Sequence, residues 1–464
     1  MTVFRCIHCE APLDLSPGFA CAHCGKSYEP VEGIPLLVRD RGSYLAGMIN
    51  TYFQFWQQKR REVDKIRQDG AYILSRSRQL RRLTEALVAN NSIVAGFVEL
   101  LEKTGTPLMQ VLQACAPIAP ILNFKDFSYL KRDWCWFAEG ERQLAVIMKT
   151  LRAIIDRHLP DKENALFLGS GTGRIALELA GSFREIFATD LSFSMLYFFR
   201  QLLAGGEIGF HEINYANTFS DELISRPLTA SAKPFLSGSP AVFEGLSYFV
   251  SDVKELPLAS GSMSSIFSVY FTDVIALKLM LPEISRVLKP GGIFVHFGPL
   301  GYGFENIAEK LTASEVKARL EAAGFEISEE AIVISNHLES DHAMDIVRLR
   351  NWVLVARKKY ADTGGLSRHD SLAVAGNLSY QLNGTIQDGE ETRSTRVWTE
   401  EGTCFQLNEI GSDVLAELSA APLSVEALFN LLKETYMLDS PEELSVVLED
   451  LCLKGILRSD RVSS

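Results

Sequence analysis

The sequence predicts an α/β fold for the middle of the chain, with a small cysteine-rich module before it and a small α+β module after it. Residues 160–360 alternate short apolar strand patterns with amphipathic helix patterns, and the first strand runs into the glycine-rich turn "LGSGTGR". The first 24 residues hold four of the eight cysteines, and the last hundred residues combine short strand patterns with two amphipathic helices. At 464 residues the chain exceeds one ordinary hydrophobic core, so several domains are expected.

Composition argues against partners that are nucleic acids or membranes. The formal net charge is −12, whereas phosphate contacts need clustered lysine and arginine. No uninterrupted apolar stretch approaches the length of about 18 residues that is typical of a transmembrane helix. Cys6 and Cys9 come before any apolar leader could form, which argues against a secretory signal. We therefore expect no nucleic-acid partner, no membrane partner, and a cytoplasmic location with reduced thiols.

The amino-terminal cysteines form two C-x2-C pairs separated by eleven residues, in "CIHCEAPLDLSPGFACAHC". Each pair can aim two thiolates at one point, and two pairs complete a tetrahedron around Zn(II). A module of about 40 residues has too small an apolar core to be stable alone, so metal binding would stabilise it. In a reduced compartment disulfides are the weaker interpretation. The predicted ligands of a structural zinc ion are Cys6, Cys9, Cys21 and Cys24.

The glycine turn follows an apolar strand pattern at 166–168 and precedes an amphipathic helix pattern. Gly169, Gly171 and Gly173 suit a tight turn whose backbone a ligand approaches closely. A P-loop is excluded, because no G-K-[ST] sequence ends the turn. A G-x-G-x-x-G dinucleotide fingerprint would need glycine at the position of Arg174. The turn therefore indicates a nucleotide site whose ligand has to be identified from the segments that follow.

Acidic residues follow at the ends of the next two strand patterns. "EIFATD" ends in Asp190, and an acid there suits the two hydroxyls of an adenosine ribose. "YFVSD" ends in Asp252, a position that can receive an adenine amino group. A fourth strand at 266–271, the helix, turn and strand of "LPEISRVLKPGGIFVHF", and a last strand "NWVLVARKK" complete the sheet. The ordered series resembles the class I S-adenosylmethionine (SAM) methyltransferases over about residues 160–358, with a Rossmann dehydrogenase as the structural competitor.

A narrower resemblance runs from Phe127 to Lys358. The segments "RDW" with a following "EGER", "SDVKELP", "YFTD" and "GPLGYGF" are similar to motifs of the carnosine N-methyltransferase family. The resemblance implies a Rossmann-like α/β fold and SAM as cofactor, and it places Asp273 and Tyr302 toward the methyl acceptor. The implied cofactor contacts are Arg132, Arg174, Asp190 and Asp252. Together with the turn glycines Gly169, Gly171 and Gly173 and with Val253, they form the predicted cofactor site.

Two positions depart from that family. The acid after the second strand is commonly glutamate in the family and is Asp190 here, a mild change because either can accept ribose hydroxyls. The histidine that ends the family's G-P-L-L-Y-H motif is Gly303 here, which puts carnosine itself in doubt as the acceptor. His296 is a partial substitute, although a histidine on a buried strand is more often a satisfied core residue. Because methyl transfer needs an aligned and deprotonated acceptor, Asp273 is the first catalytic candidate, before Tyr302 and His296.

The two end modules resemble other families. "YEPVEGIPLLV", after the second cysteine pair, is similar to zinc-ribbon methyltransferase activators over residues 3–39, which implies a docking or stabilising module. The segment from Phe405 onward, with "LNEIG", "SVEAL" and "LKGIL", resembles the PqqD-like winged-helix family over about residues 372–458. That resemblance implies that a precursor leader peptide binds as an added strand. The alternative is a winged-helix module used for dimerisation or internal support. Winged helices often bind DNA, but the acidic "SPEELSVVLED" helix is poorly suited to the major groove.

We predict four regions: a zinc ribbon at 1–40, a helical region at 41–159, a SAM-dependent methyltransferase domain at 160–360 and a winged-helix (α+β) domain at 372–464. The first functional hypothesis is methylation of a nitrogen or oxygen of a peptide whose leader binds the carboxyl-terminal domain. A second hypothesis keeps the enzyme but gives it a small imidazole- or amine-bearing acceptor, with structural end modules. A third is a non-catalytic activator or scaffold subunit, against which the intact glycine turn and the acidic strand ends argue.

Overall fold

The computed structural model describes residues 3–15, 19–70, 73–104, 126–160, 162–236, 245–359, 366, 370–375, 378–387, 390–398, 404–438, 440–453 and 456–459. The chain divides into two compact units. The first unit comprises Met1–Leu320 and Phe325–Lys359, and the second comprises Glu321–Gly324 and Tyr360–Ser464. The predicted break around Gly364 and Gly365 lies outside the described residues.

A seven-stranded mixed sheet forms the centre of the first unit. The unit's strands are β1 (Asn164–Leu168), β2 (Glu185–Asp190), β3 (Glu207–Ile213), β4 (Ser225–Ser231), β5 (Leu246–Val250), β6 (Met263–Val269), β7 (Leu288–Gly298), β8 (Phe325–Asn336) and β9 (Arg348–Lys358). The sheet order is β5-β2-β1-β6-β7-β9-β8. The first five strands are parallel, and β9 runs antiparallel to both of its neighbours. The predicted Rossmann-like α/β fold is confirmed.

The strand order fixes where a ligand can bind. The winding reverses between β1 and β6, and open α/β sheets bind ligands outside the carboxyl ends of the strands at such a point. Three predicted elements differ in extent. The fourth strand, expected at 266–271, is observed as β6 at Met263–Val269. β5 ends at Val250, two residues before Asp252, and the helix after the glycine turn covers only Arg174–Glu178. The two-stranded hairpin of β3 and β4 was not predicted.

Helices precede the sheet and cover its faces. They are α1 (Arg41–Gly70), α2 (Ser77–Glu102), α3 (Asp126–Trp134), α4 (Ala138–His158), α5 (Arg174–Glu178), α6 (Phe193–Leu203), α7 (Lys233–Leu236), α8 (Leu277–Val287) and α9 (Ala313–Ala322). α1 packs on α2, with Tyr52 stacked on Phe97 at a ring-centroid distance of 5.2 Å. The helical character expected before the sheet is present in the described part, and residues 105–125 lie outside it.

The amino-terminal segment extends the sheet beyond its edge strand β5. Val250 donates its N–H to the carbonyl of Pro35 at 2.9 Å, and Leu37 donates to the carbonyl of Val250 at 2.9 Å. These bonds make residues 35–37 a short parallel partner of β5. The Arg39 guanidinium binds the Glu255 carboxylate, with its Nε 2.9 Å from Oε2. The cysteine-rich segment is therefore docked on the sheet domain within the first unit.

The second unit is an α+β module with its own hydrophobic core. It contains β10 (Ser371–Val374), β11 (Ser379–Gln387), β12 (Glu390–Trp398), β13 (Cys404–Leu407), α10 (Glu409–Ala420), β14 (Leu423–Ser424), α11 (Val425–Leu432), α12 (Pro441–Leu453) and β15 (Leu457–Ser459). The strands form two sheets, ordered β14-β10-β15 and β11-β12-β13. Ser424 caps α11, accepting from the Ala427 N–H at 3.2 Å. Leucines dominate the core, among them Leu415, Leu428, Leu448 and Leu457.

Among the described residues, no helix has both the length and the apolar composition needed to cross a bilayer.

Candidate active site

The glycine turn between β1 and α5 has the geometry of a ligand cradle. Gly169, Gly171 and Gly173 all have positive φ, at 58°, 56° and 76°. A Cβ at Gly169 would lie 2.2 Å from the Phe271 ring, and one at Gly173 would lie 2.6 Å from the Phe199 ring. A Cβ at Gly171 would meet nothing within 4 Å. Packing therefore requires the outer two glycines, while Gly171 leaves its backbone open to a ligand.

Asp190 at the end of β2 is joined to this turn. Its Oδ2 accepts a hydrogen bond from the Gly171 N–H at 2.8 Å, and its Oδ1 accepts one from the Ser192 N–H at 2.8 Å. Burial raises the pKa of Asp190, and these backbone hydrogen bonds oppose the shift. Each carboxylate oxygen has a second lone pair, so Asp190 can still accept two ribose hydroxyls.

Asp252 and Val253 lie at the same edge of the sheet. Because β2 and β5 pair in parallel with Asp190 opposite Val250, Asp252 follows just beyond the site. Its Oδ1 accepts from the Lys254 N–H at 3.0 Å, and the Lys254 ammonium lies 3.2 Å from its Oδ2. Val253 is buried and offers an apolar surface next to that carboxylate.

Arg132 on α3 contributes to the site a guanidinium with one nitrogen that is unpartnered in the described part of the chain. Its side chain is 7% exposed, and its Nε and Nη2 donate to the two carboxylate oxygens of Asp133 at 2.6 and 3.1 Å. Nη1 is buried and has no hydrogen-bond partner among the described residues. The Thr172 hydroxyl of the glycine turn also donates to Asp133, and Trp134 Nε1 donates to the Thr172 carbonyl at 3.1 Å. A buried N–H left free beside a ligand cradle suits an anionic group such as a carboxylate.

Arg174, the residue that ends the glycine turn, is bound by protein groups. Its Nε donates to Glu178 at 2.8 Å, its Nη2 donates to Glu141 at 3.2 Å, and its Nη1 donates to the carbonyl of Asp133. The guanidinium also lies 4.1 Å from the centre of the Trp136 ring. Arg174 thus ties the glycine turn to α3 and α4.

Asp273 follows β6 on the loop that faces the cofactor edge. Its Oδ2 accepts from the Gly301 N–H at 2.9 Å, and its carbonyl accepts from the Gly303 N–H at 3.4 Å. Burial raises the pKa of Asp273 above its usual value, and the Gly301 N–H opposes the shift. A Cβ at Gly303 would meet nothing within 4 Å, so open space lies beside Asp273.

Tyr302 lies on the same loop, but its hydroxyl is engaged elsewhere. It donates to the Leu311 carbonyl at 2.8 Å, and its ring packs on Phe304 at a centroid distance of 5.2 Å. Burial, together with the nearby Asp273 carboxylate, raises the pKa of Tyr302. In this arrangement Tyr302 supports the loop that holds Asp273.

His296 on β7 is buried, and both of its ring nitrogens have partners. A carbonyl only accepts, so Nε2 donates to the Gly298 carbonyl at 3.0 Å and Nδ1 accepts from the Thr272 hydroxyl at 2.8 Å. Burial lowers the pKa of His296 to about 4, which makes the ring neutral at pH 7. This is the satisfied core histidine that the sequence left open as the alternative to a catalytic role.

The structure adds a polar cluster that the sequence patterns did not indicate. The Gln143 amide of α4 donates to the Tyr270 hydroxyl at 3.4 Å and to His337 Nδ1 at 3.3 Å, and its oxygen accepts from the Leu338 N–H at 3.0 Å. The rings of Tyr270 and His337 lie 5.1 Å apart. Tyr270 has φ 56°, an uncommon conformation for a bulky residue that is typical of functional sites.

Tyr129 completes this cluster on the side of the cofactor cradle. The Arg132 guanidinium lies 5.1 Å from the centre of its ring. Burial raises the pKa of Tyr129, and the carboxylates of Asp133 and Asp273 raise it further. The cluster of Tyr129, Gln143, Tyr270 and His337 is assembled from α3, α4, the end of β6 and the end of β8. The sequence gives no local signal for that association. The aromatic residues of "YFTD" beside Asp273 were the one available hint.

The four amino-terminal cysteines are brought together as their spacing predicted. All four Sγ atoms lie within 4.8 Å of one another, with 3.7 Å between Cys6 and Cys24 and 3.5 Å between Cys9 and Cys21. Tetrahedral zinc with Zn–S bonds of about 2.3 Å separates its sulfurs by about 3.8 Å. The donor set and its spacing fit a closed four-thiolate metal site.

The fold and the cradle together define a Rossmann-like α/β methyltransferase. A family model for carnosine N-methyltransferase matches residues 123–360, which is half of the chain. The chain belongs to the carnosine N-methyltransferase family. The predicted membership of the methyltransferase class is thereby confirmed at the level of the family.

Two relatives carry the same family name. The carnosine N-methyltransferase of Mus musculus is 28% identical over 232 residues, and that of Rattus norvegicus is 27% identical over 232 residues. Each match covers 46% of this chain, and this chain spans 57% of the length of each relative.

Solved structures of methyltransferases align with part of the chain. A methyltransferase from Bacillus halodurans aligns with 46% of this chain and 100% of its own, at 15% identity and a TM-score of 0.31. Magnesium protoporphyrin IX methyltransferase from Synechocystis with bound SAM aligns with 51% of this chain and 91% of its own. That alignment has 11% identity and a TM-score of 0.33.

Proposed function

We propose that this chain transfers a methyl group from SAM to a nitrogen atom of a peptide that bears an imidazole or an amine. The observation that carries the proposal is the half-buried carboxylate of Asp273, which lies beside open space at Gly303 and next to the cofactor cradle. The relatives are named for carnosine, which is itself a dipeptide.

The cofactor is held by the residues of the cradle. Bound SAM supplies a methyl group on a positively charged sulfur, which is a strong electrophile. Arg132 Nη1 is suited to the carboxylate of the methionine part, and Asp190 to the ribose hydroxyls. Asp252 is suited to the adenine amino group, and Val253 packs against the ring.

The acceptor is aligned and deprotonated by the loop after β6. The acceptor nitrogen forms a bond to the methyl carbon as the carbon–sulfur bond breaks, and the bonding electrons stay on sulfur. The proton of an imidazole or ammonium N–H passes to the Asp273 carboxylate. The raised pKa of Asp273 brings its basicity nearer to that of the acceptor, which favours this transfer.

The position of Gly303 supports an acceptor other than carnosine alone. The related family is expected to place a histidine there, whereas here a side chain would meet nothing within 4 Å. The open volume is compatible with an acceptor that is larger than a dipeptide.

The two end modules have proposed roles of their own. We infer that the second unit is a PqqD-like domain that binds a leader peptide by strand addition, for which its small sheet β11-β12-β13 offers end strands. We infer further that Cys6, Cys9, Cys21 and Cys24 hold one structural zinc ion. Internal support by both modules, with a small imidazole-bearing metabolite as acceptor, is the second candidate.

The test is the rate of methyl transfer by Asp273→Asn. The variant keeps the shape of the side chain and an oxygen for the Gly301 N–H but removes the base. We expect kcat to fall by about 10²–10⁴-fold while the Kd for SAM is unchanged. In the wild type kcat/KM should rise with pH through an apparent pKa above that of an ordinary aspartate, because only the ionised carboxylate accepts the proton. That acidic limb should be absent in the variant.

The matched control is Asp156→Asn, an exposed acid on α4 that pairs with Lys162. It should leave kcat and the pH profile as in the wild type. The measurement of kcat and of its pH profile follows the formation of S-adenosylhomocysteine and of methylated product. The acceptors are carnosine and histidine-bearing peptides. Wild-type turnover by Asp273→Asn at every pH would refute the role of this carboxylate.

A further inference from the structure

A cavity lined by both polar and apolar residues lies beside the candidate active site in the first unit. Its volume is about 540 Å³, within the range of about 300–1,000 Å³ that is usual for small-molecule sites. Its walls come from α1, α2, α3, β3 and the loop 337–347. The glycine turn and Asp273 do not line it, so it is distinct from the cofactor cradle.

Helix α3 separates the cavity from the cofactor. Ser128 and Lys131 line the cavity, whereas Tyr129 and Arg132, one residue further along in each case, contact each other on the cofactor side. Residues three apart share a helix face, so the two pairs occupy different faces of the same short helix. One face of α3 therefore lines the cavity, and another face lies toward the cofactor cradle.

A chain of contacts connects the cavity with the loop of Asp273. His337 lines the cavity, and its Nδ1 accepts from the Gln143 amide that also donates to the Tyr270 hydroxyl. Tyr270 begins the loop that carries Asp273 three residues later. A molecule that fills the cavity up to His337 thus extends toward the place where methyl transfer is proposed.

The cavity offers buried polar atoms that lack partners. Asn91 is 8% exposed, and its Nδ2 donates to the Trp56 carbonyl at 3.1 Å, which fixes the amide orientation. Its Oδ1, and the Nδ1 of His211, have no hydrogen-bond partner in the part of the chain that the structure describes. Both residues line the cavity. Buried polar atoms without partners are costly, so the site is suited to a ligand that supplies them.

The charged groups of the cavity indicate what kind of ligand it suits. Lys131 is paired with Glu139 at 3.2 Å and with Glu212, and Lys59 is paired with Glu62 at 2.8 Å. Burial lowers the pKa of His211, so its ring is neutral and offers one donor and one acceptor. The lysines are therefore paired within the protein. The unpartnered atoms, Asn91 Oδ1 and His211 Nδ1, are best satisfied by neutral N–H and C=O groups. A peptide unit carries one of each.

We propose that this cavity binds the peptide segment that adjoins the methylated residue of the acceptor. Asn91 Oδ1 accepts an amide N–H of the segment, and His211 completes its hydrogen bonds. The inference rests on the proposed function, because it makes the cavity the second half of the acceptor site. The cavity would therefore make the protein selective for the length of the acceptor.

The experiment compares a short and an extended acceptor. Free histidine and the tripeptide glycyl-histidyl-glycine are assayed with the full chain at saturating SAM. The test variant is Ala343→Phe, which places a ring at a residue that lines the cavity. The control is Ala318→Phe, the same substitution at an exposed position of α9 outside the lining.

We expect the wild type to have a KM for the tripeptide about tenfold below that for histidine. Ala343→Phe should remove this advantage, raising the tripeptide KM about tenfold with the KM for histidine, kcat and the Kd for SAM changed by less than about twofold. Ala318→Phe should match the wild type. His211→Phe, which keeps a ring at this lining position but removes its nitrogens, should raise the tripeptide KM several-fold. An unchanged tripeptide KM in Ala343→Phe overturns the proposal.

A direct binding measurement separates this inference from the proposed function. If the wild type methylates neither acceptor, the proposed function fails, and calorimetric titration of the tripeptide into the SAM-loaded chain then decides the role of the cavity. Binding that Ala343→Phe weakens and Ala318→Phe preserves supports a peptide site. Binding that is absent, or equal in both variants, overturns it.

Discussion

Two buried arginines flank the glycine turn and differ in how the protein satisfies them. Arg174 is engaged by Glu178, Glu141 and the Asp133 carbonyl, and it stacks on an aromatic ring. Arg132 is fixed by Asp133 through two nitrogens, and its third nitrogen has no partner among the described residues. The sequence placed both on the cofactor. The hydrogen bonds favour contact by Arg132 and a positioning role for Arg174.

Arg132→Lys tests this distinction at the level of one side chain. Lysine keeps the positive charge but lacks the planar guanidinium, which binds Asp133 through two nitrogens and has a third nitrogen available for SAM. A hydrogen bond to a charged group contributes about 1.5–3 kcal/mol, so the Kd for SAM should rise by about 10–100-fold. Calorimetric titration with SAM measures it. The matched variant Arg174→Lys should lower the unfolding temperature and change the Kd for SAM less than Arg132→Lys does. A larger change of the Kd for SAM in Arg174→Lys than in Arg132→Lys would contradict the assignment.

At the scale of elements, the docked amino-terminal segment depends on a few aromatic contacts. Phe4 packs edge-on against Phe187 of β2 and Phe249 of β5, with ring centroids 5.5 and 5.3 Å away. Together with the backbone pairing of residues 35–37, these contacts attach the cysteine-rich segment to the edge of the sheet. β5 carries the chain toward Asp252, so this attachment also supports the adenine side of the cradle.

Phe4→Ala measures the strength of the attachment. Removing a half-buried ring with two aromatic neighbours should lower the free energy of unfolding by about 2 kcal/mol. Phe219→Ala is the control, since that ring is 71% exposed and should change stability little. Urea unfolding followed by fluorescence compares the two. Equal stabilities would mean that the segment does not depend on Phe4 for its attachment.

Elements with strong local patterns were predictable, and those without them were not. The glycine turn, the strand ending at Asp190 and the helix before the "LKPGG" turn follow from composition and spacing. The β3–β4 hairpin did not, because Gly209 and Pro227 interrupt its strands and both residue types weaken a strand pattern. The cysteine cluster was predictable because its spacing alone constrains the geometry.

At the scale of the whole molecule, each unit has its own hydrophobic core. The first is built around the central sheet and the helices before it, and the second around the leucines of α10, α11 and α12. A core of that kind is what allows a domain to fold alone. Each of the two units therefore has its own buried residues.

Truncation after Lys359 tests the independence of the first unit. The shortened chain should fold cooperatively and bind SAM with a Kd within about threefold of the full chain, because every proposed cofactor contact lies before that residue. Methylation of short acceptors should persist, while acceptors that need a leader segment should lose their advantage. A truncated chain that is folded but no longer binds SAM would contradict this independence.

The acceptor side could not be predicted from local sequence. Tyr129, Gln143, Tyr270 and His337 come from four separate segments, and their association depends on tertiary packing. The cavity is assembled from segments as far apart as Phe55 and Val347. Periodicity and motif spacing carry no information about such contacts. Asp273 was accessible because it stands in a recognisable motif at the end of a strand.

Calorimetric titration of SAM into the full chain tests the central claim most directly, with Asp190→Ala and an exposed control, Asp64→Ala, alongside. We predict one SAM bound per chain by the wild type and by Asp64→Ala. Asp190→Ala should bind at least about tenfold more weakly, because two hydroxyl contacts to a carboxylate are lost. Absence of binding by the wild type, or equal affinities in all three proteins, would contradict the account.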